Sequence, residues 1–297
     1  MNNISIIVPF YNGNKYVQNL FDMIHRNVTV LLNNDIKAKI QLLLINDSPE
    51  IEIHIPENTY PAEFSYNTIN HKSNCGIHAA RVTGLNHISS EYVIFLDQDD
   101  EINDCTLYSQ LSKIESYDMI VSNAYIENER HEKKPLYSKE SDVKKMLNKS
   151  SYIKSYNQII SPGQCLIKTR AIPKEWKQNI MKVNGSDDLF LWILMYNLGM
   201  KIKFNNDILY THKFTGANLS SSLKKMYDST KEVAFFLKDI EYIPNKTAPM
   251  LLRSHCIKIN MSDMNAVQKI IYVLRNIDIM SFRLLWRTRK IFSKKLA

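Results

Sequence analysis

Glycine is scarce in this chain, with seven in 297 residues, at positions 13, 76, 84, 163, 185, 199 and 216. No two stand close enough to form G-x-G-x-x-G or a Walker A loop, which disfavours dinucleotide dehydrogenases and P-loop enzymes. Cysteine is scarcer still. Cys75, Cys105, Cys165 and Cys256 lie far apart, with neither zinc-ligand spacing nor a dense disulfide framework, and read as reduced thiols of a cytoplasmic protein. No apolar run reaches the ~18 residues of a spanning helix. The opening MNNISIIVPFYNG carries no basic leader before an apolar stretch, so neither secretion nor membrane spanning is expected. H-E-x-x-H and G-x-S-x-G are absent as well, which removes the zinc-protease and nucleophile-elbow chemistries.

The residues that are present make an ordinary globular composition, 44% hydrophobic and 23% charged. The length suits one large domain, or one domain with a small appendage. The net charge of +8 is unevenly placed. Residues 265–297 hold Lys269, Arg275, Arg283, Arg287, Arg289, Lys290, Lys294 and Lys295 against the single acid Asp278. The basicity therefore belongs to a C-terminal feature, and no nucleic-acid partner is expected for the rest of the chain.

Three short apolar runs, residues 4–8 (ISIIV), 41–45 (QLLLI) and 92–96 (YVIFL), have the pattern of strands covered on both faces. Helical spacing fills residues 15–32 and 77–88, so strand and helix alternate as in a doubly wound, mainly parallel α/β sheet. Ligands of such sheets sit beyond the carboxyl ends of the strands. The three runs end there in PFYN (9–12), NDSP (46–49) and DQDD (97–100). Residues 125–157, polar and lysine-rich, read as a surface excursion. A helix is expected over about 186–198, then a strand through KIKFNNDILYTH, with helices from about residue 220 to the end. The expected division is a domain over 1–220 and a helical extension over 221–297 with a basic amphipathic tail.

Asp97, Asp99 and Asp100 follow a buried strand directly. Hard oxygen ligands of this kind suit Mg2+ or Mn2+, with phosphate oxygens and water completing the shell. By itself D-x-D-D also fits a solvated, turn-forming loop. The ordered set is more specific. SIIVPFYNG, LLINDSP, the N-x-G-x-x-x-A-R formed by Asn74, Gly76, Ala80 and Arg81, FLDQDD, SDDLFLW and YTHKFTGANLS together resemble family 2 inverting glycosyltransferases of the GT-A fold, over roughly residues 4–220.

The resemblance implies that Pro9, Phe10, Tyr11 and Asn12 line a nucleotide pocket, that Asp47 reads the base edge of a UDP-sugar, and that Asn74, Gly76 and Arg81 sit near the nucleotide, with Arg81 offsetting phosphate charge. It implies Asp97 toward the ribose, Asp99 on the metal, and His212 near the metal and diphosphate. Asp187 and Asp188 open an apolar helix, where either could serve as a cap. The family's second acid at this point is the general base, which maps to Asp188. Asp-Asp stands here where the family usually has Glu-Asp, so Asp187 stays a candidate. Gln164 and Trp192 either approach the acceptor or buttress the pocket. The implied reaction is transfer of a sugar from a UDP-sugar to a glycan hydroxyl with inversion at the anomeric carbon.

In the tail, residues 280–297, helical spacing puts Met280, Leu284, Leu285, Ile291 and Phe292 on one side with Arg283, Arg287, Lys290 and Lys294 beside them, while Trp286 falls outside. That composition suits a helix lying on an anionic membrane surface, on the cytoplasmic face. The alternative is a helix packed on its own domain or on a second subunit of a homo-oligomer. Membrane contact fits a lipid-linked glycan acceptor, since bacterial members of the resembled family commonly extend such glycans. Two other readings are a nucleotidyltransferase that makes nucleotide sugars, whose glycine-rich, lysine-bearing loop is absent here, and a non-catalytic protein that binds nucleotide sugar or glycan.

Overall fold

In the computed structural model, residues 2–216, 222–261 and 264–296 are described. The chain forms two compact units that alternate along the sequence. The first comprises Met1–Leu136, Ile159–Lys182 and Met200–Asn218, and the second Tyr137–Gln158, Val183–Gly199 and Leu219–Ala297. The boundary expected between 220 and 221 lies outside the described residues.

The first unit holds a nine-stranded sheet. Its strands are β1 (Asn2–Phe10), β2 (Ala38–Asn46), β3 (Phe64–Asn70), β4 (Tyr92–Phe95), β5 (Glu101–Ile102), β6 (Met119–Glu127), β7 (Lys133–Pro135), β8 (Cys165–Lys168) and β9 (Ile202–His212), in spatial order β3-β2-β1-β4-β8-β6-β9-β5, with β7 on β6. Helices α1 (Asn14–Asn33), α2 (Ile77–Asn86) and α3 (Thr106–Ile114) connect the early strands.

β1 lies between β2 and β4, parallel to both, and its consecutive residues Ile6, Ile7 and Val8, which point to opposite faces, are fully buried together with Ile4, so the strand is covered on both faces. α1 buries Val17, Leu20, Phe21, Ile24, Val28 and Leu31, one stripe at helical spacing, in the same core. Each of these side chains is worth roughly 1.5–3 kcal/mol when taken from water, so the expected strand and helix assignments here rest on a strong driving force.

Strand direction places the ends. β1, β2 and β4 are parallel, so Phe10, Asn46 and Phe95 lie toward one edge of the sheet. β8 runs antiparallel to both β4 and β6, and β9 runs parallel to β6. Two reversals restore the original direction, so β9 delivers Tyr210 and His212 to the same edge as the end of β4. β5 then pairs antiparallel with β9, Glu101 opposite Thr211 and Ile102 opposite Tyr210.

The stretch 125–157, expected as a surface excursion, is instead ordered. Its beginning completes β6 and β7, and its remainder forms α4 (Glu140–Met146) and α5 (Lys149–Lys154). Tyr137, Met146 and Tyr152 are buried there. Their wide spacing on two short helices leaves no continuous 3.6-residue period for a sequence reading to detect.

A short helix, α6 (Lys174–Gln178), follows β8 in the first unit. The second unit adds α7 (Asp187–Asn197), α8 (Leu223–Phe236), α9 (Thr247–Asn260), α10 (Ala266–Arg275) and α11 (Ile277–Phe292). α7 is apolar all round, with Leu189 through Met195 buried, as a central helix must be. α11 turns Ile279 and Trp286 inward and leaves Leu284, Leu285 and Ile291 exposed. Arg283 donates to the carbonyls of Lys154, Ser155 and Ser254, so this tail helix is packed against its own unit. Among the described residues no helix is long and apolar enough to cross a membrane, and the four cysteines are free thiols.

Candidate active site

At the carboxyl edge of the sheet the loops after β1, β2 and β4 are tied together by hydrogen bonds. The backbone N–H of Tyr11 donates to Gln98 Oε1 (3.0 Å) while Gln98 Nε2 donates to the Tyr11 carbonyl (2.9 Å). The N–H of Asn12 donates to Ser48 Oγ (2.9 Å). A Cβ at Gly13 would stand 2.1 Å from Gln98 Oε1, so only glycine lets Gln98 lie across this turn. Pro9 is half-buried, Phe10 is part of the core, and Tyr11 is 53% exposed. Of the PFYN run, then, Tyr11 and Asn12 face solvent, while the Phe10 side chain backs the strand end.

Asp47, at the end of β2, is buried and fully engaged. Its Oδ1 accepts from the Cys75 N–H (2.7 Å) and contacts His71 Nδ1 (2.7 Å), and its Oδ2 accepts from the Gly76 N–H (2.8 Å). His71 Nε2 in turn meets Thr83 Oγ1 (2.9 Å). Asp47, His71 and Cys75 could in principle chelate a cation, since their ligand atoms lie within 4.8 Å of one another. With both oxygens of Asp47 and both nitrogens of His71 already bonded inside the protein, the cluster works as a brace for the turn into α2. Gly76 has φ 89° there, a backbone shape that glycine adopts without strain, and Asn74 is exposed beside it.

Arg81 leaves α2 toward the end of β4. It is 3% exposed, and its Nη2 donates to Asp97 Oδ1 at 2.6 Å, while Ser161 Oγ donates to Asp97 Oδ2 at 3.0 Å. The guanidinium charge is thus matched within the protein.

Asp100 is buried and held by three groups. The Tyr210 hydroxyl donates to Oδ2, His212 Nδ1 lies 3.1 Å from the same oxygen, and the Lys213 N–H donates to Oδ1 at 2.8 Å. Burial pushes the Asp100 carboxyl up. Burial also works on His212, lowering it, but the hydrogen bond to Asp100 and the surrounding carboxylates outweigh burial and raise it. Tyr210 and His212 share one face of β9 because they are two residues apart. Tyr210 opens the YTHKFTGANLS segment, but the resemblance assigns it no role there. Gln98 lies inside FLDQDD, where it is likewise given no role, and Ser161 carries no sequence signal of its own.

Asp99 stands apart from its neighbours. Among the described residues it has no hydrogen bond to another side chain, and its carboxyl is pushed up to about 6, by burial first and then by the charges of Asp100 and Asp97. A site that raises a carboxyl in this way favours added positive charge. His212 offers a second donor, because a metal-ligating imidazole is typically oriented by a carboxylate on its other nitrogen, and Asp100 occupies Nδ1. By donor type, the carboxylate of Asp99 and Nε2 of His212 are ligands that a hard divalent cation such as Mn2+ or Mg2+ would accept.

The second unit carries Asp187 and Asp188 in the first turn of α7, 3% and 9% exposed. Carboxylates at a helix N-terminus are stabilised by the helix dipole. Asp188 Oδ2 accepts from Asn157 Nδ2 (2.6 Å) and its Oδ1 from the Leu189 N–H (2.6 Å). Trp192 is fully buried on the same helix. In the first unit Gln164 is buried with its amide satisfied by Ser122 and Ile160, a buttress of the core. The Ala217–Ser220 end of YTHKFTGANLS lies outside the described residues.

The profile of Glycosyl transferase family 2 matches residues 5–174 of the chain. The glycosyltransferase GlyA of Streptococcus pneumoniae is 27% identical over 233 residues, which are 73% of this chain and 31% of GlyA. The chain therefore spans about a third of that relative's length. Among solved structures, S. aureus TarS 1-349 in complex with UDP-GlcNAc superposes with a TM-score of 0.60 at 16% identity, covering 94% of this chain and 81% of that one. The mannosyltransferase PcManGT of Pyrobaculum calidifontis, in complex with GDP-Man and Mn2+, does so at 0.53 and 12% identity, covering 96% and 82%. Both structural likenesses concern the fold.

Proposed function

The chain belongs to glycosyl transferase family 2 and has its GT-A fold, and from that premise we propose that it moves a sugar from a UDP-sugar to a glycan hydroxyl, inverting the anomeric carbon with the help of a divalent cation. The observation that carries the reading is the carboxylate cluster at the end of β4, in which Asp97 and Asp100 are held by other side chains and Asp99, among the described residues, is held by none. The complexes of TarS with UDP-GlcNAc and of PcManGT with Mn2+ are consistent with it.

In this reading Tyr11, Asn12 and Asn74 face the nucleotide. The Asp47 brace fixes the turn that carries Asn74 and Gly76, and Pro9 and Phe10 fix the strand end beneath Tyr11. Arg81 and Ser161 hold Asp97 oriented toward the ribose. Asp99 and His212 hold Mn2+ or Mg2+, which when bound supplies positive charge for the departing diphosphate. Asp188, oriented by Asn157, accepts the proton of the acceptor hydroxyl as that oxygen attacks the anomeric carbon from the face opposite the leaving group. Asp187 adds negative charge beside it. The acceptor is a lipid-linked glycan, and the basic C-terminal segment holds the protein to the cytoplasmic face of an anionic membrane.

The test is a donor screen that follows nucleotide release with Mn2+ across UDP-glucose, UDP-galactose, their N-acetyl forms and GDP-mannose. Release from a uridine donor, suppressed by a chelator and by Asp99→Asn, is the expected result. An exclusive response to GDP-mannose would overturn the donor assignment.

A further inference from the structure

Helix α10 is amphipathic with its apolar side outward. Val267, Ile270, Ile271 and Leu274 recur at i, i+3, i+4 and i+7, which gathers them on one face. They are 66%, 62%, 45% and 63% exposed. Lys269, Tyr272 and Val273, on other sides of the helix, are half-buried. The outward face of α11 continues the pattern with exposed Ile277, Leu284, Leu285 and Ile291. Single exposed apolar residues are ordinary, but a run of this length along two successive helices marks a surface made to be covered.

The surrounding charge indicates what covers it. Arg275, Arg287, Arg289 and Lys294 are exposed on or beside the same helices, and Asp278 is held by Arg253 at 2.7 Å. A second copy of the chain would bring these cations against their equals, whereas an anionic bilayer supplies both hydrocarbon and the opposite charge. α11 also borders a groove of about 770 Å3 lined by Lys144, Arg289 and Lys294 and by one acid, Glu140, which Lys144 meets at 3.5 Å, so the lining is net basic.

We propose that α10 and the outward face of α11 dock on an anionic phospholipid bilayer, with the α10 stripe at the acyl boundary and the basic residues and groove at the headgroup phosphates. This deepens the membrane reading of the C-terminal segment by moving the inserted element from the tail to α10.

The experiment is sedimentation of the full chain with vesicles of phosphatidylcholine alone and of phosphatidylcholine with phosphatidylglycerol, in low and high salt. Binding to the anionic vesicles, weakened by salt, is expected. Ile270→Asp with Leu274→Asp should lower it by roughly tenfold or more, and Ile271→Trp should raise it. Both variants alter exposed positions, and circular dichroism confirms that they fold. Unchanged binding by the Asp variant, or no binding by the wild type, overturns the proposal. A wild-type dimer that the Asp variant converts to monomer, with no vesicle binding by either, overturns it in favour of an interface between copies. UDP titration with Mn2+ on the same samples separates the two readings. UDP binding without vesicle binding sinks only this one, and vesicle binding without UDP binding sinks only the donor assignment.

Discussion

In the first unit the most apolar segments are the best hidden, with Ile4, Ile6, Ile7 and Val8 of β1 at 0% exposure, whereas in the second Val267, Ile270, Ile271 and Leu274 of α10 stand in solvent. The polar groups are reversed in the same way. The first unit ties the partly exposed Asp97 to buried Arg81 and holds buried Asp100 among partners of its own, beside one carboxylate, Asp99, that has no side-chain hydrogen bond among the described residues. The second spreads its cations over the outside of two helices. Burial of apolar surface fixes a shape in the sheet, and on this frame charges can be held close together against their repulsion. On α10 the same apolar chemistry does nothing for the fold and is free for a partner.

The comparison is broken most sharply at the carboxylates. Asp188→Asn should lower transfer by roughly 10²–10⁴-fold while sparing UDP binding, the range typical for loss of a general base. Steady-state kinetics beside a UDP titration decide it, and unaltered turnover would remove Asp188 from the reaction. Asp99→Asn should instead weaken UDP binding in the presence of Mn2+, and equal affinity with and without the substitution would remove Asp99 from the metal.

Arg81→Ala tests whether the first unit depends on its buried network. Removing one partner of a buried ion pair strands the other, at a cost of about 3–5 kcal/mol, reduced here by the partial exposure of Asp97 (24%). Urea denaturation should show a loss of ~3 kcal/mol, and a loss below ~1 kcal/mol would mean that Asp97 is rehydrated.

In the second unit the matching charge effect is a pH response. Burial first, then the neighbouring Arg283, pushes His255 down from 6.5 to about 4. The unfolded chain then takes up a proton that the folded chain refuses, so stability is full above pH 6.5 and falls as the pH drops toward 4. The loss is on the order of 3 kcal/mol. Thermal melts of wild type and His255→Gln over this window measure it, and parallel curves would count against the assignment. Smallest of all should be the effect of Ile270→Asp with Leu274→Asp on stability, within roughly 0.5 kcal/mol for exposed positions. A large loss there would show that the stripe supports the fold after all.

The strands over 4–8, 41–45 and 92–96 and the helices over 14–33 and 77–86 were legible because local periodicity and burial coincide at those places, whereas β3 (Phe64–Asn70), mostly exposed, was not. DQDD was legible as an acidic strand end for the same reason, since it follows a buried strand directly. The separation of roles within it was not. Arg81, Ser161, Tyr210 and Lys213 reach Asp97 and Asp100 from other elements, across separations of 16 to 113 residues. Asp47 was legible as a residue of interest, but its bonds to the backbone of Cys75 and Gly76 depend on how the turn into α2 folds.

The tail shows the same division. Sequence spacing grouped Leu284, Leu285 and Ile291 on one side of a helix and left Trp286 outside. The structure keeps that grouping but turns Trp286 inward and the leucines outward. A helical period specifies which residues share a face, because 3.6 residues make a turn whatever surrounds them. Which face is buried is decided by the neighbours it packs on. By itself the sequence determined the alternating α/β pattern, the acidic strand end and a basic C-terminus. Tertiary structure decided which carboxylates are held by protein partners and which apolar face is left to solvent, because both depend on residues brought together only when strands distant in sequence pair and helices pack.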